Sequence, residues 1–229
     1  MNILAIDTSF EACSAALLTQ GRVLQQYVFA PRQHAQLILP MIEALLDQSS
    51  LKLENLDALA FAAGPGSFTG IRIAASVIQG LAFAVNLPVV AVSTLQTMAQ
   101  QAWNQYQAEK VIVGVDARMG EVYWGVYQLD SDRIMQPISQ DALCRPEEMI
   151  APTSMGYIFL GDAWFNYSAA IQPKLRHVVT TIPAEWQPRA ESVVNLAQHY
   201  FKQGVAVKAE NALPVYLRSK GAWKTLEEQ

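Results

Sequence analysis

The chain has 229 residues, 52% hydrophobic and 16% charged, with a formal net charge of −4. That composition excludes a disordered protein and argues against a chain that holds nucleic acid by its own field, while the length allows one large domain or two small ones. The two cysteines, Cys13 and Cys144, lie far apart without a CxxC spacing, so neither a zinc site nor a disulfide framework is indicated.

The opening "MNILAID" has no basic region and no long apolar run, which predicts no signal peptide and a soluble, cytoplasmic chain. "ILAIDTS", "CSAALLTQG" and "VLQQYVFA" read as three short strands, the turn between the last two carrying Gly21. Residues 35–47 read as a helix whose apolar positions Leu37, Ile38, Met41, Ile42, Leu45 and Leu46 form one broad stripe, with Pro40 inside it. "DALAFAAG" is a buried strand that runs into the glycine loop "GPGSFTG", and a second helix follows. From Ile71 to Val85 the only charge is Arg72, yet a membrane span needs about 20 apolar residues, so a soluble helix buried on several sides is expected. "PVVAVST" is a further strand and "LQTMAQQAWNQY" a further helix.

A pattern then repeats. "ILAIDTSFEACSAALLTQGRVLQQ" and "VIVGVDARMGEVYWGVYQLDSDRIMQP" each give an apolar strand ending in Asp, a turn, a second strand, a polar turn and a third strand. Asp7 and Asp116 hold equivalent places. The echo predicts two related halves, 1–107 and 108–229, each an open mixed sheet with helical crossovers, the second half poorer in helices and richer in proline. "SVVNLAQHYFKQG" is its one clear later helix.

The loop "GPGSFTGIR" is not a Walker loop, because no Gly-Lys-Ser/Thr follows. Gly64 and Gly66 give backbone freedom, Pro65 stiffens the turn, and Ser67 or Thr69 can cap the next helix. A tight turn with a good cap accounts for these residues, and a phosphate at that helix end stays open as an alternative. On the helix, Ile71, Ala74, Ala75, Ile78, Ala82 and Val85 can form one face, while Ile73, Val77, Leu81 and Phe83 fall elsewhere. One face suffices for the sheet, so the other calls for a second cover.

A duplicated unit with an Asp after its first strand is the layout of α/β folds of the actin-like, sugar-kinase-like (ASKHA) class. "AIDTS", "GPGSFTGIR", "DARMGEVYWGVY" and the late "PVYLR", in that order from residue 1 to about 224, resemble the TsaB (YeaZ) family of bacterial tRNA-modification proteins. The resemblance implies a two-lobed actin-like fold with a reduced second lobe and no cofactor. It also implies a non-catalytic subunit that activates TsaD, the enzyme that transfers threonylcarbamoyl to the adenosine 3′ of the anticodon, with the ATPase TsaE as third member. Pairing with TsaD through the two first-half helices is implied, as is self-pairing through the same face; tRNA is touched only indirectly or weakly. On that basis the interface is expected to draw on Leu37, Ile38, Met41, Ile42, Leu45, Ile71, Arg72, Ala74, Ala75, Ile78 and Ala82.

The residues bear on that implication separately. Asp7, Thr8 and Ser9 resemble a phosphate turn and Asp116 a second acid, so a vestigial phosphate site is a candidate; each Asp can equally cap its own turn. An adenosine-binding pair of late glycines is missing, since Gly156, Gly161, Gly204 and Gly221 are all isolated. No metal is expected: His34 is followed four residues later by Ile38 rather than a second ligand, and His177 and His199 have no acidic partner at ligand spacing. Cys13, mid-strand among apolar residues, reads as an inert thiol. The competing reading is an actin-like ATPase or small-molecule kinase using Asp7 and Asp116. The tail carries Arg218, Lys220 and Lys224 beside Tyr216 and Trp223, a set that suits either a docked tail or contact with a partner or tRNA.

Overall fold

The computed structural model describes residues 1–150, 152–175, 178–182 and 186–218. The first sheet is built from β1 (Ile3–Asp7), β2 (Ala12–Thr19), β3 (Arg22–Phe29), β4 (Ala58–Gly64) and β5 (Val89–Ser93), in the order β3-β2-β1-β4-β5. The β1–β2–β3 meander is antiparallel, whereas β4 and β5 run parallel to β1. Helix α1 (His34–Ser49) bridges β3 to β4, and α2 (Phe68–Val85) crosses over from β4 to β5. Every residue of β1 and β4 is buried, as both faces of a covered central strand require.

The second sheet repeats the plan. After α3 (Thr94–Tyr106) come β6 (Lys110–Arg118), β7 (Glu121–Leu129), β8 (Met135–Pro137), β9 (Ala142–Cys144), β10 (Tyr157–Leu160), α4 (Ala163–Asn166), α5 (Ser168–Ile171) and β11 (Val178–Ile182). The order β8-β7-β6-β10-β11 matches the first sheet strand for strand, with β9 paired to the same β7. The repeat is reduced where the first half is helical. Among the described residues the crossover between β10 and β11 has only α4 and α5, and β9 with a short 3-10 turn stands where α1 stood.

The helices do not respect the boundary between the sheets. The last helix, α6 (Ala190–Lys202), packs Val193, Val194, Leu196 and Ala197 on Ile3, Ala5, Ala16, Ala60 and Val90 of the first sheet. Conversely, α3 packs Leu95, Met98, Ala99 and Ala102 on Val111, Val113, Tyr127 and Leu160 of the second. Each half thus lends its final helix to the other half's sheet, and residues 209–212 also return to the first core. On the first sheet's remaining face, α1 and α2 cover Leu4, Ile6, Leu17, Leu59 and Phe61.

The cap at the loop is the expected one. The Ser67 hydroxyl accepts from the Gly70 N–H at 3.4 Å and opens α2. Ser93 does the same for α3 through the Gln96 N–H at 3.2 Å. Pro40 lies within α1. By length and composition α2 could cross a membrane, but Gly70, Ile71, Ala74, Ala75, Ile78 and Ala82 are buried against the sheet.

Candidate functional site

Two surfaces are candidates: the cleft between the sheets and the outer face of α1 and α2. The cleft has a volume of about 850 Å³ and is lined at its base by Phe10, Ile71, Met98 and Val115, with Tyr123, Trp186, Arg32, Arg118 and Asp116 among its walls. The β1–β2 turn stands behind this lining. Asp7, Thr8 and Ser9 are buried, and all but one of their side-chain oxygens are hydrogen-bonded within the protein. The Asp7 carboxylate accepts from the Ser9 amide at 2.8 Å and from the Ser9 hydroxyl at 2.6 Å. The Thr8 hydroxyl donates to the Gly70 carbonyl at 2.7 Å, and the Ser67 N–H donates to the Ser9 carbonyl at 2.7 Å. The glycine loop therefore lies directly on the turn. A Cβ added at Gly66 would meet Ser9 O at 2.5 Å, and one at Gly70 would meet Thr8 O at 2.0 Å. Close backbone approach accounts for glycine at both positions.

Burial raises the pKa of Asp7 to about 6, with the Ser9 hydroxyl and amide pulling the other way. Its second oxygen has no hydrogen-bond partner among the described residues. Asp116 is the counterpart in register: its Oδ1 accepts from the Arg118 N–H at 2.7 Å, two residues on, as Asp7 does from Ser9. Asp116 also accepts from the Tyr167 hydroxyl at 2.9 Å, and its own N–H donates to Asp162 Oδ1 at 2.7 Å. Burial also pushes the Asp162 carboxyl up from its ordinary range. Of the acids singled out in the sequence, Asp116 reaches the cleft and Asp7 does not. Asp162, which steadies the Asp116 turn from 46 residues away, carries no local sequence signal.

His34 is buried with Nε2 3.2 Å from the Ala12 carbonyl, and His199 lies against Gln203 and Tyr200. His177 and the basic-aromatic tail beyond Arg218 lie outside the described residues. Among the described residues no three His, Cys, Asp or Glu side chains converge. Burial pushes the Cys13 thiol up to about 11, away from nucleophilic use. Tyr127 and Trp124 are core residues, while Tyr123 faces the cleft.

The expected interface residues need correction. Ile38, Ile42, Leu45, Ile71, Ala74, Ala75, Ile78 and Ala82 are 0–3% exposed and face the sheet, so they form the core and not a docking surface. Their small side chains let α2 approach the strands closely. Leu37 and Met41 are half-buried, and Arg72 is exposed. What is exposed instead is Leu39 on α1 and Phe68 and Phe83 on α2, with Phe83 80% exposed, while Ile73 and Val77 are half-buried at the edge of the core. Between the helices runs a shallow apolar groove lined by Ala35, Phe68, Thr69, Arg72, Ile73, Ser76 and Val77. The second helical face at Ile73, Val77 and Phe83 was the available sequence signal.

The repeated β-meander, the parallel strands added to it and the interlobe cleft define a duplicated actin-like α/β protein. Residues 26–226 match the family described as "TsaD: tRNA N6-adenosine threonylcarbamoyltransferase". The chain is 42% identical to the tRNA threonylcarbamoyladenosine biosynthesis protein TsaB of Escherichia coli K12, covering 99% of this chain and 98% of that one. It is 38% identical to the TsaB of Haemophilus influenzae, over 99% and 97%. Among solved structures, YeaZ from Pseudomonas aeruginosa superposes with a TM-score of 0.88 at 44% identity, covering 94% of this chain and 99% of that one. The chain belongs to the TsaB (YeaZ) family, whose role is in tRNA threonylcarbamoyladenosine biosynthesis.

Proposed function

We propose that the chain is a non-catalytic subunit of the tRNA threonylcarbamoyladenosine machinery in the cytoplasm, docking on TsaD through the outer face of α1 and α2, with TsaE as a further member of the assembly. The observation that carries this reading is the groove beside α1, where exposed Phe68 and half-buried Ile73 and Val77 of α2 lie, with exposed Phe83 farther along the same helix. An apolar groove with exposed aromatic side chains on the same helix suits a protein contact. The match of this chain to the TsaD family supports the choice of partner, because homologues that share a fold can pair through equivalent helices about a pseudo-twofold axis. A second copy of the chain fits the same face when TsaD is absent. The ATPase reading is disfavoured because the Thr8 and Ser9 hydroxyls are buried and already donate within the protein, to the Gly70 carbonyl and the Asp7 carboxylate.

Threonine incorporation into unmodified tRNA by reconstituted TsaD, TsaE and the adenylate-forming enzyme tests the proposal. Incorporation is expected only when the chain is present, and Ser76→Arg, an exposed change in the groove, is expected to abolish it with the fold intact. Equal incorporation with and without the chain overturns the reading, as does full activity of the Ser76→Arg chain.

A further inference from the structure

Residues 213–218 cross the mouth of the cleft and touch both lobes. At one end the Val215 N–H donates to the Ala63 carbonyl at 2.8 Å, extending beyond β4. The segment lies so close to the glycine loop that a Cβ on Gly64 would meet Val215 O at 2.5 Å. Next to it the Tyr216 hydroxyl accepts from Arg72 Nε at 2.7 Å, and the Tyr216 ring lies 5.9 Å from that of Phe68. The Arg72 guanidinium sits 3.7 Å over Phe68, so the first turn of α2 and Tyr216 form one cluster. At the other end Arg218, its side chain only 9% exposed, pairs with Glu121 at 2.7 Å and donates to the Ala117 carbonyl at 3.1 Å. Arg218 also touches Met119 and the Arg118 carbonyl. Those residues make the β6–β7 turn, where Arg118, Met119 and Gly120 all have positive φ.

We propose that residues 213–218 act as a clasp that couples the first turn of α2 to the β6–β7 turn of the opposite lobe. The two anchors, Tyr216 and Arg218, are two residues apart in a segment that the Val215 N–H ties to β4, so a change at one is felt at the other. Coupling of this sort is reciprocal. Resting on the docking reading above, the clasp gives a partner seated on Phe68 and Arg72 a path to the cleft wall at Arg118.

Hydrogen–deuterium exchange of the full chain alone tests the clasp. Glu121→Gln keeps the side-chain shape and removes the ion pair; it is expected to raise exchange of the Ala117–Glu121 amides and also of the Ser67–Arg72 amides, each by about fivefold. Tyr216→Phe removes only the hydroxyl and is expected to loosen the same two segments in the reverse direction. An Arg218 that simply ties down the chain end would give a rise confined to Ala117–Glu121 in Glu121→Gln and to Ser67–Arg72 in Tyr216→Phe, and either confinement overturns the proposal. Binding of TsaD is measured separately. If the wild-type chain fails to bind, the docking reading falls while the exchange data still decide the clasp.

Discussion

The buried carboxylate of Asp7 makes a quantitative prediction. With its pKa raised from the ordinary 3.8 to about 6 by burial, the folded protein holds a proton there between those values that the unfolded chain releases. The folded state binds more protons in that window, so stability is full below pH 4 and falls as pH rises toward 6. At 1.36 kcal/mol per pH unit, the gap of roughly two units makes ionised Asp7 cost about 3 kcal/mol above pH 6. Asp7→Asn removes this cost and keeps an oxygen to accept from the Ser9 N–H. The carboxylate oxygen that lacks a partner is replaced by an amide lacking one, so that contribution nearly cancels. Urea unfolding of both chains from pH 4 to pH 8 measures the difference. The variant should match the wild type at pH 4 and exceed it by about 3 kcal/mol at pH 8. A variant less stable than the wild type at pH 8, or a difference that does not change with pH, refutes the argument.

Two further substitutions probe the packing on which the site rests. Ile78 is fully buried; Ile78→Ala removes three carbons at about 0.8 kcal/mol each, and with the cavity left behind the loss should reach about 3–4 kcal/mol in urea unfolding. A loss under about 1 kcal/mol would mean that α2 does not seat this face on the sheet. Gly70→Ala places a Cβ 2.0 Å from the Thr8 carbonyl oxygen, a backbone atom that cannot swing aside. The strain should cost at least the roughly 1–3 kcal/mol of overpacking, and loss of the Thr8–Gly70 hydrogen bond adds about 1 kcal/mol. An unchanged unfolding midpoint would show that the loop does not press on the β1–β2 turn.

Much of the fold was legible because its signals are local. Strand ends at Asp7 and Asp116, the Gly64–Gly70 loop and the stripe on α1 all act within a few residues of themselves. The repeat of strand, Asp, turn and two strands carried the topology of both sheets. The orientation of α2 was not legible in the same way. Ile71 and Ile78 differ little in hydrophobicity from Ile73 and Val77, so side-chain type alone does not say which row meets the sheet. The row that meets the sheet joins Ile71 and Ile78 with the small residues Gly70, Ala74, Ala75 and Ala82, which let the helix come close over Phe61 and Leu59. Assigning the interface to that row therefore mistook the core for the surface.

The exchange of α3 and α6 between the lobes was beyond local reading for a different reason. An amphipathic helix states that it has a partner face but not which sheet supplies it. Here α6 lies on Ile3 and Ala5 of the first sheet although it follows β11 of the second in the chain. The exchange has a mechanical consequence. Each sheet is closed by a helix that belongs to the other half, and Asn104 of α3 meets Ser192 of α6 at 3.4 Å where the two cross. The lobes are thus joined at the base of the cleft by packed helices and across its mouth by residues 213–218. Between these two ties the glycine loop packs on the β1–β2 turn and opens α2, whose Ile71, Ala74, Ala75, Ile78 and Ala82 meet the sheet while Phe68 and Phe83 stay exposed. The loop that presses on Thr8 and Ser9 by backbone contact thus also sets where α2 begins, and with it the place of Phe68 beside Arg72 and Tyr216.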